Sequence, residues 1–367
     1  MLHSLPQALL IQAQTRGSQT ALRYKQLGIW RTQSWVELAR DVDRLAAALQ
    51  LKGFSAADKL AIISEARAEA LLLTLAAQTL GGRVILAEPD ADNRRWLASL
   101  KPRYAVVQNP EGLVQLHDAA PGVVIILDKR GLHDTHHMHL IDYAALLNQA
   151  VTSSVRPVIN EADCAFVCRE AAGQPPDQLT HGDLLSGARQ LVQAHGITER
   201  DEALAARVFA ASGQARYLLA PWLVAGFCLN FPEALSTRDN DRRELGPTLV
   251  LGTRHSYERL ELWARERLPL PGTIAHRLYH WAMAADPGVI RRKLGYWLIR
   301  RPLLDVLGMS RLSKPLLAGE RLTPQSEAFF TALGIVPREV GAATRTAQQT
   351  DGAFADYRPP VRLGVSS

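Results

Sequence analysis

Cysteine is scarce in this chain: Cys164, Cys168 and Cys228 are the only three in 367 residues. They are too few and too scattered for a disulfide framework or a four-ligand zinc site. A reducing compartment fits that usage. Long apolar runs are missing too. The nearest, around Leu71 to Leu86, is interrupted by Arg83, and it reads as a helix running into a strand, so no membrane span is expected. The N-terminal MLHSLPQALLIQAQTRG has neither the basic start nor the small-residue cleavage site of a signal peptide. The expected location is the cytoplasm. There is no internal repeat and no low-complexity tract. Acidic excess is absent as well: 42 Lys and Arg against 36 Asp and Glu give a formal charge of +6 and a pI near 9.4. Clustered cations of that kind can serve nucleic acid, but an arginine-rich composition gives the same total and no nucleic-acid-binding motif is visible. No nucleic-acid partner is expected.

What is present is an apolar content of 47% in a chain long enough for two packed lobes. Ser34-Trp35-Val36-Glu37 has the form of a capping box. Val36, Leu38, Ala39, Val42, Leu45, Ala46 and Leu49 then recur at helical spacing, with Gly53 as the stop. Strands are predicted at Lys59 to Ser64, Arg83 to Ala87, Tyr104 to Gln108, Gly122 to Asp128 and Cys164 to Cys168. Helices are predicted at Ala66 to Thr79, Asn93 to Leu100, Asp142 to Val151 and Gly182 to His195. Leu204 to Phe209, Leu218 to Leu229 and Thr248 to Gly252 continue the alternation. Buried strands alternating with helices imply parallel pairing in an α/β sheet. From Thr344 onward the chain is polar and rich in Gly and Pro, and reads as a loosely packed tail.

Several strings, in order, resemble the adenylate-forming (AMP-binding) long-chain fatty-acid CoA ligases. ALRYK followed by GIWRTQSWVELARDV looks like that family's opening, and DKLAIISEARAEALLLTLAAQTLGG follows its strand–helix–strand pattern. Leu179-Thr180-His181 with Leu184-Leu185 resembles the segment after its phosphate loop. PTLVLGTRHSYERL from Pro247, RRPLLDVLGMSRLSKPLLAGERLTP ending at Pro324, and FFTALGI fit as well. The resemblance implies an α/β, two-lobed acyl-CoA synthetase-like N-terminal domain with parallel or mixed sheets flanked by helices. A first lobe is expected at 1–160, a second with the phosphate loop at 161–343, and a polar tail at 344–367.

The positions that carry the family's chemistry depart from its pattern. The family's T/S-S-G-T-T-G-x-P-K-G loop lets backbone N–H groups, hydroxyls and a lysine close round phosphates. Here the aligned stretch is Cys168-Arg169-Glu170-Ala171-Ala172-Gly173-Gln174-Pro175-Pro176-Asp177, keeping only Gly173 and Pro175 ahead of Thr180. Pro176 stands in place of the lysine and removes a cation and a backbone donor together. Glu170 brings a carboxylate to a phosphate site; like charges about 4 Å apart cost about 4 kcal/mol at a surface-like dielectric. Each lost charge-assisted hydrogen bond costs roughly a further 1.5–3 kcal/mol. The family's P-L-A-H-x-x-E segment aligns with Phe209 to Ala215, without His or Glu. Its Y-G-x-T-E motif aligns with Val340-Gly341-Ala342-Ala343-Thr344-Arg345, where Arg345 replaces the carboxylate expected to hold magnesium. The ribose-binding aspartate, the hinge and the small C-terminal domain with its catalytic lysine are expected to be lacking.

Three further features have plainer readings. The string His133-Asp134-Thr135-His136-His137-Met138-His139 is read as an exposed loop rather than a metal site. Thr180 and His181 are read as a helix start, and Cys168 as an inert, partly buried thiol rather than a reactive one. Between Ala275 and Lys314, cations that include Arg291, Arg292, Lys293, Arg300 and Arg301 are interleaved with aromatic residues that include Trp297. Such a segment can sit at an anionic membrane surface; ordinary packing under arginine stems is the alternative.

The expectation is therefore a catalytically degenerate acyl-CoA synthetase-like protein that binds an acyl or lipid ligand, or a protein of a lipid pathway. No catalytic residue, metal or cofactor is assigned. Two alternatives stay open. One is a working ligase using ATP and magnesium through atypical residues or a C-terminal domain supplied in trans. The other is an adaptor held peripherally at the inner face of a membrane.

Overall fold

The computed structural model describes residues 2–87, 89, 91–132, 139–149, 156–169, 176–205, 212–270, 272–283 and 289–340. Its first strands form a hairpin, β1 (Thr20–Gln26) and β2 (Ile29–Ser34), paired antiparallel. The turn residues Leu27 and Gly28 both have positive φ, 50° and 76°, as a type I′ turn requires. The Glu233 carboxylate accepts from the N–H groups of Leu27 at 2.8 Å and Gly28 at 3.0 Å, which satisfies the exposed turn and holds it against a distant loop.

At the end of β2 the capping box forms. Ser34 Oγ accepts from Glu37 N, Glu37 Oε2 accepts from Ser34 N at 2.9 Å, and the helix Trp35–Leu51 follows. Gly53, at φ 83°, lies just beyond its end.

The first sheet holds β3 (Lys59–Ile63), β4 (Arg83–Ala87), β5 (Tyr104–Val107), β6 (Val123–Ile126), β7 (Leu140–Asp142), β8 (Cys164–Cys168) and β9 (Asp177–Thr180). Its order is β7-β6-β5-β3-β4-β8-β9, parallel except for the β8–β9 pair. Both faces are buried, and the period of two divides the side chains between them. Leu60, Ile62, Val84, Leu86, Tyr104 and Val106 enter the central core, while Ala61, Ile63, Ile85, Ala87, Ala105 and Val107 enter an outer core with Leu97 and Leu116.

The second sheet holds β10 (Glu202–Leu204), β11 (Cys228–Phe231), β12 (Leu249–Thr253), β13 (Lys314–Ala318) and β14 (Arg338–Val340). The hairpin completes it, in the order β14-β13-β12-β10-β11-β1-β2. The central core is continuous between the sheets, through the helices Trp35–Leu51, Ala68–Thr79, His181–His195 and Ala220–Ala225. Trp35 stacks on Trp222 there, with ring centroids 4.9 Å apart. A third core, around Tyr257, Leu307, Leu317 and Phe330, covers the other face of the second sheet.

The arrangement is the expected α/β one, with helices outside and between two sheets. The sheets do not divide along the chain at 160/161. β1 and β2 belong to the second sheet because β1 pairs with β11, and β8 and β9 belong to the first because β8 pairs with β4. The helix expected over Asp142 to Val151 spans Tyr143–Leu147, and the run Leu218 to Leu229 breaks at Gly226, φ 77°, into a helix end and β11.

Candidate functional site

Ligands of open parallel sheets bind beyond the carboxyl ends of the strands, where successive connections diverge. In the first sheet that point lies between the loops after β3 and β5, because β3 connects on to β4 on one side and β5 continues to β6 on the other. Side chains of the protein occupy it. Gln108 Oε1 accepts from Glu65 N at 2.7 Å and from Ser64 Oγ at 3.4 Å, and Ser64 is buried. Glu65 then reaches the second sheet, its Oε2 accepting from Leu235 N at 3.2 Å in the loop after β11. The carboxyl edges of the two sheets meet at this contact.

β8 ends and β9 begins at the same edge. Glu170, Ala171, Ala172, Gly173 and Pro175 lie outside the described residues, as do Gly341, Thr344 and Arg345, the segment Phe209 to Ala211, and His133 to Met138. The flanks of the loop are described. Cys168 is buried at the end of β8 and forms no disulfide. Arg169 Nη1 donates to Asp92 O at 2.9 Å, so its guanidinium is turned towards the 91–93 turn. On the other flank, Asp177 follows Pro176 and accepts from Arg216 Nη2 at 3.0 Å. Arg216 lies in a π-helical turn, Ala215–Leu219, a geometry often found at functional positions. Both partners are about a third exposed, so the pair contributes under about 1 kcal/mol. Its consequence is electrostatic: a carboxylate beside the loop neutralises a nearby cation.

Thr180 and His181 open the helix His181–His195. Thr180 Oγ1 accepts from Asp183 N at 3.1 Å as its N-cap. His181 is buried, and its Nδ1 accepts from Leu5 N at 3.3 Å, satisfying a free donor at the start of the helix Leu5–Arg16. Burial pulls its pKa down from 6.5 to about 4. It is neutral near pH 7 and serves the fold. Burial also raises the thiols of Cys164 and Cys228, the latter to about 12, so neither is a thiolate nucleophile. Among the described residues no three His, Cys, Asp or Glu side chains cluster to hold a metal, and no helix is long and apolar enough to cross a membrane.

The basic segment resolves into two sets. Arg291 Nε and Nη2 donate to Trp281 O at 2.7 and 2.5 Å, and Arg300 Nη2 donates to Ala282 O at 3.0 Å. These two cations serve the carbonyl end of the helix Ile274–Ala282. Lys293, Trp297 and Arg301 are exposed; the side chain of Arg292 lies outside the described residues. Sequence reasoning missed the Gln108–Ser64–Glu65 closure and the Asp177–Arg216 pair. Arg216 stands 39 positions from its partner, and no spacing rule marks such a contact.

This arrangement defines the chain as one with the fold of an adenylate-forming N-terminal domain. The family model for AMP-binding enzymes matches residues 9–168, a little under half of the chain. Solved structures agree in fold. The Klebsiella oxytoca NpsA N-terminal subdomain, in complex with 3-hydroxyanthranilyl-AMSN, is 17% identical with a TM-score of 0.60, over 91% of this chain and 70% of that one. The anthranilate CoA ligase AuaEII, in complex with anthranoyl-AMP, is 15% identical with a TM-score of 0.69, over 92% of this chain and 59% of that one. The fatty acid AMP ligase from Legionella pneumophila is 12% identical with a TM-score of 0.62, over 90% of this chain and 52% of that one. The chain thus spans little more than half the length of these two ligases. No curated protein matches it in sequence.

Proposed function

We propose that this chain is a catalytically degenerate relative of the acyl-CoA synthetases, binding an acyl or lipid ligand or a protein of a lipid pathway without ATP-dependent ligation. The observation that carries the reading is the flank of the phosphate loop. Pro176 stands where the family's lysine supplies a cation, and Asp177 beside it is paired with Arg216 at 3.0 Å. A triphosphate entering there meets a missing cation, a missing backbone donor and an arginine already engaged. With the lost charge-assisted bonds at roughly 1.5–3 kcal/mol each, two or three of them match the roughly 4 kcal/mol of a millimolar ligand. The closure of the first sheet's crevice by Gln108 supports the same reading, since its Oε1 takes up the backbone N–H of Glu65 and the hydroxyl of Ser64 at that point.

Magnesium-ATP calorimetry with a thermal shift tests the reading, because a ligand at about 100 times its Kd stabilises by about 2.7 kcal/mol. The expected result is no heat and no shift at about 1 mM ATP, with no acyl-adenylate formed from a panel of carboxylic acids. Saturable ATP binding together with adenylate formation overturns the proposal and makes the chain a working ligase with atypical residues.

A further inference from the structure

Residues 289–307 form one continuous helical rod, Val289–Gly295, a π-helical turn at Tyr296–Arg300, and Arg301–Leu307. Its inner face is packed. Gly295 lies so close to the helix Ile274–Ala282 that a Cβ added to it would stand 3.1 Å from Ala282 Cβ, and Leu304 and Leu307 are buried. A helix of this kind ordinarily turns polar residues outward. Here the outward positions carry Leu294, Tyr296, Trp297 and Leu298, at 50, 40, 61 and 54% exposure. Lys293, Leu294, Trp297, Leu298 and Arg301 follow one another at near-helical spacing, so the apolar group is bracketed by two exposed cations. The Arg301 guanidinium sits 4.5 Å above the Trp297 ring, a cation–π contact that holds the indole in place.

Between Val289 and Lys314 the chain has seven Lys and Arg against the single Asp305. An apolar centre with an aromatic pair, edged by cations and nearly free of carboxylates, matches the boundary of an anionic bilayer. Indole and phenol rings are favoured there, aliphatic side chains enter the acyl region, and cations meet the head-group phosphates. Of the seven, Arg291 and Arg300 are engaged by helix carbonyls and Arg311 by Glu202, which leaves Lys293 and Arg301 as the exposed cations beside the apolar group.

We propose that the outward stripe of this rod, centred on Leu294, Trp297 and Leu298 and flanked by Lys293 and Arg301, seats the protein on an anionic phospholipid surface. The helix lies in the interface and does not span it. The proposal is independent of whether the chain binds nucleotide.

Sedimentation with vesicles tests it, using phosphatidylcholine alone and phosphatidylcholine mixed with phosphatidylglycerol. The protein is expected to sediment with the mixed vesicles only, and less so as salt is raised. Replacing both Lys293→Ala and Arg301→Ala should weaken partitioning roughly thirtyfold, the factor for two cations at a charged surface. Trp297→Glu should abolish it. Both variants alter exposed side chains, so unchanged melting temperatures are expected and separate lost binding from lost folding. Equal binding to neutral and mixed vesicles overturns the proposal, as does binding unaffected by either variant. It is equally overturned if the chain ignores vesicles and instead forms a dimer that Trp297→Glu dissociates, since a second copy then covers the stripe.

Discussion

Acid should weaken this fold through one side chain. Neutral His181 accepts the Leu5 N–H at Nδ1; protonation turns that nitrogen into a donor facing a donor and places a charge where burial disfavours it. Because its pKa is held at about 4, against 6.5 for an exposed imidazole, the unfolded chain binds the proton more readily. Above pH 6.5 both states are neutral and the contribution is complete. It is lost as the pH falls from 6.5 towards 4. At 1.36 kcal/mol per tenfold, the gap corresponds to about 3 kcal/mol in all, with about 2 kcal/mol lost by pH 5. Urea unfolding followed by tryptophan fluorescence at about pH 7.5 and about pH 5 measures it. Carboxylates titrate over the same interval, so the informative quantity is the difference between the protein and His181→Gln, whose amide oxygen can accept the same N–H without titrating. The variant should lose about 2 kcal/mol less on acidification. An equal loss in both refutes the assignment.

Three stability predictions are independent of that one. Leu27 is exposed at 80% and holds a left-handed φ of 50° in the hairpin turn, so Leu27→Asn should stabilise by about 1 kcal/mol in thermal melting; destabilisation would show that its side chain is needed. Gly308, at φ 66°, would place a Cβ 2.8 Å from Arg243 N and 2.9 Å from Arg242 C and O, and Gly308→Ala should cost about 3 kcal/mol. By contrast Gly28→Ala, with nothing near its Cβ position, should cost only about 1 kcal/mol, and equal losses would show that backbone strain alone decides. Asp239 accepts from Arg242 at 2.9 Å and from Arg259 at 2.6 and 3.0 Å, while Arg242 is 5% exposed. Asp239→Asn leaves that buried cation uncompensated and should cost about 3–5 kcal/mol by urea titration; a loss under about 1 kcal/mol would mean that Arg242 is balanced through its Nε bond to Leu307 O.

The elements legible in the sequence are those whose signals are local. Ser34 and Glu37 form the box their spacing announces, and Arg83 to Ala87 is a strand with the bounds its apolar run suggests. The hairpin β1–β2 gave no such signal, because Leu27-Gly28 replaces the usual Asn-Gly or Asp-Gly and Glu233, 206 positions from Leu27, stabilises the turn. The edge strand β9, Asp-Gln-Leu-Thr, has one buried residue, Leu179, too little for an alternation. The division into sheets depends on which strand β1 and β8 choose as neighbours, a tertiary choice that periodicity does not carry. At the candidate site, the departures from the family loop are visible residue by residue. Their electrostatic consequence required the Asp177–Arg216 contact, which joins segments with no local relation.

The pairing of β1 with β11 sets an order of events. Leu22 lies beside Leu229 and Tyr24 beside Phe231, so the hairpin made first must wait through some two hundred residues for its partner. Meanwhile β3 to β9, contiguous from Lys59 to Thr180, has all its strands and can close as a sheet. During synthesis the exposed edge of β1 faces solvent while its neighbour is still being made, an interval in which strand-to-strand aggregation competes with folding. Two polar contacts at the turn end of that hairpin, Lys25 bound to Asp241 and Glu244, and the turn itself bound to Glu233, then act as latches that engage only after the late segment arrives.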